Sequence, residues 1–261
     1  MAHSATPQRN DRPLVASAVV LVSALAWAYL FHLHRRMTSP AAVDTMASMG
    51  AMVAAPWRAA DVGFTLAMWS VMMVGMMAPS AMPMLLVVAG SRARRTDGRG
   101  SMHVPLFALG YLTIWIGFSA CATVAQWALH DGALLSPTMA AASPRLAGAL
   151  LVVAGAYQLT PAKHACLTHC QTPMGFLMSH WREGPGGAFQ MGLRHGLYCL
   201  GCCWALMGVL FAVGVMNLVW VAVLTAFILL ERAGHIGARV ARVGGVLMIL
   251  FGVLVLFGWQ R

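Results

Sequence analysis

One short stretch of the chain concentrates side chains that bind soft metal ions. A histidine is followed by cysteines at i+4, i+7 and i+8, which on an α-helix form a single stripe: His195, Cys199, Cys202 and Cys203. Thiolates are ligands for Cu(I), Zn(II) or iron–sulfur clusters. Since one helix rarely completes a metal site alone, we expect ligands from a second segment. Ordinary packing of small apolar thiols is the alternative, and it suits the isolated Cys121 better than this stripe.

A second cluster supplies candidate ligands shortly before the stripe. It contains two histidines and two cysteines, which are His164, Cys166, His169 and Cys170. If this stretch is helical, the two cysteines share a face, because their spacing is i, i+4. The alternative is a juxtamembrane helix with incidental or palmitoylated cysteines. Lys163, directly before the cluster, is expected to reach the lipid headgroups.

Methionine is concentrated between residues 68 and 84, where 7 of the 17 residues are methionine. Thioether sulfur favours soft metals, above all Cu(I). Pro79 and Pro83 each remove a backbone donor and so free carbonyl groups beside the sulfurs. Packing of flexible side chains between helices is the alternative. As a metal pathway, the segment offers Met72, Met73, Met76 and Met77.

Two further features carry weaker signals. Spaced methionines in the segment 44–52, which follows His32 and His34, could collect copper, although a short amphipathic surface helix explains them as well. Glu231 and Arg232 place a carboxylate beside a base at the end of an apolar run, where they could be a proton or metal partner. We expect the pair to be an interfacial anchor.

Composition indicates the elements that carry these residues. Hydrophobic residues make up 60% of the 261 residues and charged residues only 9%, whereas a soluble domain has about a quarter charged. We predict an all-α, polytopic transmembrane helical bundle that forms a single membrane domain over residues 1–261. Residues 1–60 hold the first span and the methionine-containing loop, and residues 61–261 hold the metal-binding bundle. Seven spans are predicted, at 14–31, 63–90, 104–129, 146–160, 195–214, 216–230 and 243–259.

Six spans are the alternative, since the break between the fifth span and the sixth is confined to residues 215–217, and the two could form one bent unit. The polar connection 161–192 is predicted to be a loop with a turn at its Gly-Pro-Gly-Gly sequence.

The distribution of charge predicts the orientation. With seven spans, 12 of the 17 Lys and Arg residues lie on the side of the N-terminus, which the positive-inside rule places in the cytoplasm. The net charge of +10 therefore serves helix orientation and contact with membrane lipids, and nucleic-acid binding is not expected. The predicted location is a bacterial inner (cytoplasmic) membrane.

Three motifs together resemble a bacterial family described as predicted metal-binding integral membrane proteins of unknown function. They are Met-Met-x-x-Met-Met-x-Pro-x-x-x-Pro at 72–83, Tyr-Gln-x-Thr-Pro-x-Lys-x-x-Cys-Leu-x-x-Cys at 157–170 and Cys-x-Gly-Cys-Cys-Trp-x-Leu-Met at 199–207. The resemblance covers roughly residues 60–260. It implies a membrane protein with metal-binding character, and it supplies no substrate or reaction.

The favoured function is the handling of a soft metal, most simply copper, with zinc or iron as alternatives. The protein would transport the ion or deliver it to a protein partner, with the methionines as a relay and the cysteines as acceptors. A thiol–disulfide carrier and a structural or assembly subunit of a membrane complex are the alternative functions. No ATP-binding loop and no catalytic constellation occur in the sequence, so we expect neither a primary pump nor an enzyme.

Overall fold

The computed structural model describes residues 11–37, 57–92, 103–132, 134–135, 141 and 143–258, and this part of the chain is built from helices. The methionine-containing segment 44–52 lies outside the described residues. In chain order the helices are α1 (Arg12–Met37), α2 (Ala59–Arg92), α3 (His103–Asp131), α4 (Pro144–Gln158), α5 (Pro161–Gln171), α6 (Pro173–His180), α7 (Gly184–Val213), α8 (Leu218–Glu231) and α9 (Gly234–Gly258).

Five of these helices are long and apolar enough to cross a membrane, namely α1, α2, α3, α7 and α9. The predicted all-helical architecture is therefore confirmed. Helices α4 and α8 have only 15 and 14 residues. At a rise of about 1.5 Å per residue each is roughly 21 to 23 Å long, less than the hydrocarbon core of about 30 Å. The count of seven spans stays a prediction.

The predicted loop over residues 161–192 is wrong, because most of this segment is helical. It contains α5, α6 and the first turns of α7, which begins at Gly184 and not at residue 195. Each of these helices has a proline in its first turn, where the missing N–H costs no hydrogen bond. Gly184 has φ of +78°, so the predicted turn does occur, at the start of α7.

Helices α7 and α8 are separate elements and do not form one bent unit. Gly214, with φ of +99°, follows the end of α7, and the amide of Asn217 donates to the Gly214 carbonyl at 3.0 Å. This tight turn reverses the chain and returns the end of α8 toward the cysteine stripe.

Close contacts through glycine bring α3 against α7. A methyl group on Gly110 would lie 2.2 Å from the carbonyl oxygen of Phe189, and one on Gly192 would lie 2.1 Å from that of Phe107. The two backbones thus touch where neither helix has a side chain, as in helix pairs that pack through small residues. The contact fixes the position of Tyr111, the next residue after Gly110, relative to the stripe on α7.

Helices α4 and α9 also pack closely through glycine residues. Gly148 and Gly155 of α4 approach the backbone carbonyls of Gly252 and Gly245 of α9, respectively. On the outside of the bundle, α1 and α9 expose large apolar side chains, including Leu25 at 61% and Leu254 at 66%. Extensive apolar exposure of this kind fits a surface that faces lipid.

Candidate metal centre

The stripe on α7 faces the interior of the bundle. All four side chains are buried, with at most 2% of their surface exposed: His195, Cys199, Cys202 and Cys203. The thiols of Cys202 and Cys203 both donate to the Cys199 carbonyl, at 3.1 and 2.8 Å. These bonds orient two sulfurs along the same side of the helix, beside Cys199.

The guanidinium of Arg232 lies against this stripe. Its Nη2 donates to Cys199 Sγ at 2.8 Å and lies 3.6 Å from Cys202 Sγ, while Nη1 donates to the Ser80 carbonyl at 3.1 Å. Arg232 directly follows the last residue of α8, so the turn after Gly214 is what delivers it. A guanidinium at this distance favours the thiolate form of a cysteine, which is the form that binds metals.

Tyr111 connects the stripe to the methionine-rich helix. Its hydroxyl oxygen is 3.1 Å from Cys199 Sγ and 3.2 Å from the Met77 carbonyl oxygen. The Ser80 hydroxyl donates to the same Met77 carbonyl at 2.6 Å. Of the four candidate methionines, Met77 is thus linked to Cys199, through its backbone carbonyl and the Tyr111 hydroxyl. All four side chains are at least 98% buried: Met72, Met73, Met76 and Met77.

The cysteines of α5 meet those of α7. The buried Cys170 thiol lies beside that of Cys202. Cys166 is half-buried, and its sulfur is 2.8 Å from the position that a methyl group on Gly201 would occupy. The interaction with Cys202, followed by burial, raises the pKa of the Cys170 thiol well above its usual range. Burial, followed by the nearby Cys202, raises the pKa of Cys166.

The three candidate histidines occupy different surroundings. His164 is exposed on α5, apart from the cysteines. His169 is half-buried and stacks on Tyr198, with ring centroids 4.4 Å apart. His195 is buried between Phe107, Tyr111 and Phe176, and neither of its ring nitrogens has a hydrogen-bond partner among the described residues. A buried imidazole with free nitrogens is available as a ligand.

Lys163 and Glu231 form a buried ion pair, so two expectations from the sequence are wrong. Lys163 does not extend to the headgroups and Glu231 is not an interfacial anchor, since their side chains are only 1% and 2% exposed. Lys163 Nζ is 2.8 Å from both carboxylate oxygens of Glu231, and Gln158 Nε2 donates to Oε1 at 2.7 Å. Each charge is satisfied inside the bundle, which makes burial tolerable.

The donor set fits a soft ion of low coordination number. No three His, Cys, Asp or Glu side chains in the described part of the chain converge into a ready cage for a metal. Structural zinc sites, by contrast, use four ligands in a tetrahedron. Cys199 and Cys202 offer two sulfurs to one guanidinium, with Cys170 beside them. Thiol sulfurs are ligands for soft ions, of which Cu(I) is one.

The sequence alone indicates Glu231 and Arg232 as a possible proton or metal partner, but it does not indicate the role of Tyr111 or the buried ion pair. The signal for Arg232 was present, since an ionisable residue at the end of an apolar run is a functional candidate by default. Tyr111 lies 88 residues from Cys199 in the sequence, and nothing in its own neighbourhood distinguishes it. Only the packing of α3 on α7 brings the two together.

The chain matches a known protein family. The model of the family PpoB2, described as copper chaperone, matches residues 66–255. The matched part contains the methionines of α2, both cysteine clusters and Arg232. Comparison with curated proteins and with solved structures finds no match to this chain.

Proposed function

Because the chain belongs to the PpoB2 copper chaperone family, we propose that it is a membrane-embedded chaperone that binds Cu(I) between the sulfurs of Cys199 and Cys202. The bound ion is then passed to a protein partner. The resemblance to metal-binding membrane proteins and the family match both support a metal-related function.

The contact of Arg232 with both sulfurs carries this proposal. Two thiolates and one Cu(I) ion have a combined charge of −1, and the guanidinium contributes +1. The loaded site is therefore neutral, which matters because an uncompensated charge is costly inside an apolar bundle. A divalent ion bound by the same groups would leave a net positive charge. The site thus favours a monovalent soft cation.

The neighbouring groups have separate roles in the proposal. Cys170, which lies beside Cys202, and Cys203 are reserve thiols that can exchange with a ligand during transfer. His195 is the nitrogen donor nearest to the site along α7. Met72, Met73, Met76 and Met77 form a relay of weaker thioether ligands that reaches the site at Met77. Affinity rises from thioether to thiolate, so the ion is retained at the cysteines.

The long apolar helices support a location in a membrane. We propose a bacterial cytoplasmic membrane, crossed seven times, with the N-terminus in the cytoplasm. The excess of Lys and Arg on the side of the N-terminus supports this orientation. In this orientation α5, α6 and the loop after α8 face the cytoplasm, so the partner that exchanges copper is cytoplasmic.

The proposal is tested by Cu(I) competition titrations of the full-length protein in detergent against a chromophoric Cu(I) chelator. We expect one tightly bound ion per chain in the wild type and a loss of affinity of at least 100-fold in Cys199→Ser and in Cys202→Ser. Cys121→Ser is the matched control, since Cys121 is exposed and lies ten residues beyond Tyr111 on α3. Wild-type affinity in Cys199→Ser and Cys202→Ser would contradict the proposal.

A further inference from the structure

Two half-buried histidines stand together at the ends of the short helices α5 and α6. The ring centroids of His169 and His180 are 6.5 Å apart, and the ring planes are inclined by 68°. Both side chains are partly exposed, and in the proposed topology α5 and α6 lie on the cytoplasmic side of the membrane. A partner in the cytoplasm can therefore approach both rings.

Local hydrogen bonds determine which nitrogen of each ring is free. His169 Nδ1 is 2.8 Å from the Ala165 carbonyl oxygen, and His180 Nδ1 is 2.8 Å from Ser179 Oγ and 3.3 Å from the Phe176 carbonyl oxygen. The Ser179 hydroxyl donates its one proton to the Gly175 carbonyl at 2.8 Å, so it accepts from His180. A carbonyl oxygen only accepts, so Nδ1 carries the proton in both neutral rings. Nε2 of each ring then presents a lone pair, the arrangement found in metal-binding histidines.

Stacking holds both rings in place. His169 lies on Tyr198 with centroids 4.4 Å apart and planes inclined by 7°. His180 lies on Phe176 with centroids 4.9 Å apart and planes inclined by 18°. With Nδ1 bonded and one face covered, each ring has little freedom to turn. Ligands that are oriented before binding lose less entropy when a metal arrives.

The spacing of the rings suits one shared metal ion. An imidazole nitrogen lies about 1.1 Å from its ring centre and a metal–nitrogen bond is about 2.0 Å, so two imidazoles in line on one ion have centroids roughly 6.2 Å apart. The observed 6.5 Å is close to this value. In-line binding by two ligands is a geometry that Cu(I) accepts.

The histidine pair adjoins the buried sulfurs through two aromatic residues. Tyr198, which stacks on His169, directly precedes Cys199 in α7. Phe176, which stacks on His180, has its ring centroid 5.4 Å from that of His195. His195 is in turn beside Tyr111, whose hydroxyl contacts Cys199. A single layer of aromatic side chains thus separates the pair from the sulfur site.

We propose that His169 and His180 form a two-imidazole exchange site for Cu(I), through which the ion moves between an external donor or acceptor and the buried cysteines. This inference rests on the proposed function for its direction. Neutral imidazoles bind Cu(I) less tightly than a pair of thiolates, so the ion stays only briefly and the site works as an entrance.

The kinetic test follows the rate at which the full-length protein in detergent takes Cu(I) from a chromophoric chelator. We expect His169→Ala and His180→Ala to slow loading at least tenfold while the final copper content remains one ion per chain. His164→Ala is the matched control on the same helix and should load at the wild-type rate, because His164 is exposed and belongs to no pair. Wild-type rates in both variants of the pair would overturn the proposal.

A direct binding test separates this site from the sulfur site. The variant Cys170→Ser/Cys199→Ser/Cys202→Ser is titrated with Cu(I) and measured by copper X-ray absorption. We expect this variant to bind one Cu(I) ion, more weakly than the wild type and with two nitrogen scatterers. That binding should be lost when His169 or His180 is also changed to Ala. Such binding supports the histidine site even if the wild-type sulfurs prove to bind no copper. Copper binding that is unchanged when His169 and His180 are replaced overturns the proposal.

If the triple variant does not fold, the wild type with ¹⁵N-labelled histidine gives the same answer. After the first equivalent of Cu(I), a further equivalent should shift the Nε2 resonances of His169 and His180, assigned from the single variants. Unchanged resonances for both residues would overturn the proposal.

Discussion

At the scale of single residues, the guanidinium of Arg232 joins two sulfurs of α7 to the backbone of α2. Its contacts with Cys199 Sγ and with the Ser80 carbonyl use different nitrogens. The side chain therefore places a positive charge beside the sulfurs and also connects α7 to α2. A lysine could supply the charge, but its single ammonium group lacks the planar fork that reaches both partners.

Replacing Arg232 by Gln removes the charge that balances the loaded site. We expect the affinity for Cu(I) to fall by about 10- to 100-fold, in line with the 1.5 to 3 kcal/mol of a hydrogen bond to a charged group. Competition titration measures the change. Arg242→Gln is the control, because Arg242 is exposed and bonds to the Ala238 carbonyl of its own helix. Equal affinities for Arg232→Gln and wild type would refute the role of the guanidinium.

The thiol of Cys166 should be slow to alkylate near neutral pH. Burial disfavours its charged form and the nearby Cys202 adds to the effect, so its pKa is raised. The thiolate that reacts with iodoacetamide then forms only at higher pH than in an unperturbed cysteine, whose pKa is about 8.5. Peptide mass spectrometry across a pH series measures the midpoint. A midpoint at or below that of a free cysteine would contradict the packing of Cys166 against Gly201.

Residue spacing was enough to predict that His195 and the three cysteines share one face of a helix, and that Cys166 and Cys170 lie near them. The partners of these groups could not be predicted in the same way. Arg232 reaches the sulfurs only because the turn at Gly214 reverses the chain. His180 gave no signal of its own, because its segment was interpreted as a loop and pairing depends on where α6 ends.

At the scale of elements, the position of Tyr111 depends on how closely α3 approaches α7. Gly110 and Gly192 let the two backbones touch. The long apolar runs predicted these helices well, because a run of about twenty apolar residues in lipid must form its backbone hydrogen bonds internally, and a helix does so. They did not predict which helices pair, since glycines that permit contact look like any other glycines in the sequence.

A methyl group at Gly110 should separate α3 from α7. Gly110→Ala places the methyl 2.2 Å from a backbone carbonyl, so the helices must shift. We expect a loss of about 1 to 3 kcal/mol in stability, together with weaker Cu(I) binding because Tyr111 moves away from Cys199. Gly117→Ala, on the same helix with no atom within 4 Å, should leave both properties unchanged or slightly raise stability.

Thermal denaturation in detergent and Cu(I) titration measure the two effects on these variants. If Gly110→Ala behaves like Gly117→Ala, the close crossing of α3 and α7 is not what positions the tyrosine.

At the scale of the whole molecule, the Lys163–Glu231 pair joins α4, α5 and α8 next to the metal centre. Glu231 accepts from Lys163 and Gln158 through its carboxylate, and its backbone carbonyl accepts from Gln171 Nε2 at 2.7 Å. The ends of α4, α5 and α8 are thereby held together, one residue before Arg232. Hydrophobicity alone predicts a bundle, but not that its interior contains an ion pair.

Breaking this pair on one side should destabilise the whole bundle. Lys163→Met leaves the Glu231 carboxylate buried without its counter-charge, and we expect a loss of about 3 to 5 kcal/mol. The double variant Lys163→Met/Glu231→Leu removes both charges and should recover most of that loss. Unfolding in detergent followed by circular dichroism measures both proteins. Equal destabilisation of the single and double variants would show that the charges are not paired in the folded protein.

The central claim is that Cu(I) is bound by cysteine sulfur beside Arg232, and copper X-ray absorption tests it most directly. The full-length protein, loaded with one equivalent of Cu(I), should show sulfur scatterers at about 2.3 Å, the length of a metal–thiolate bond. The same sample of Cys199→Ser/Cys202→Ser should lose them. A wild-type protein that retains no copper, or that holds it only through nitrogen and oxygen, would contradict the claim.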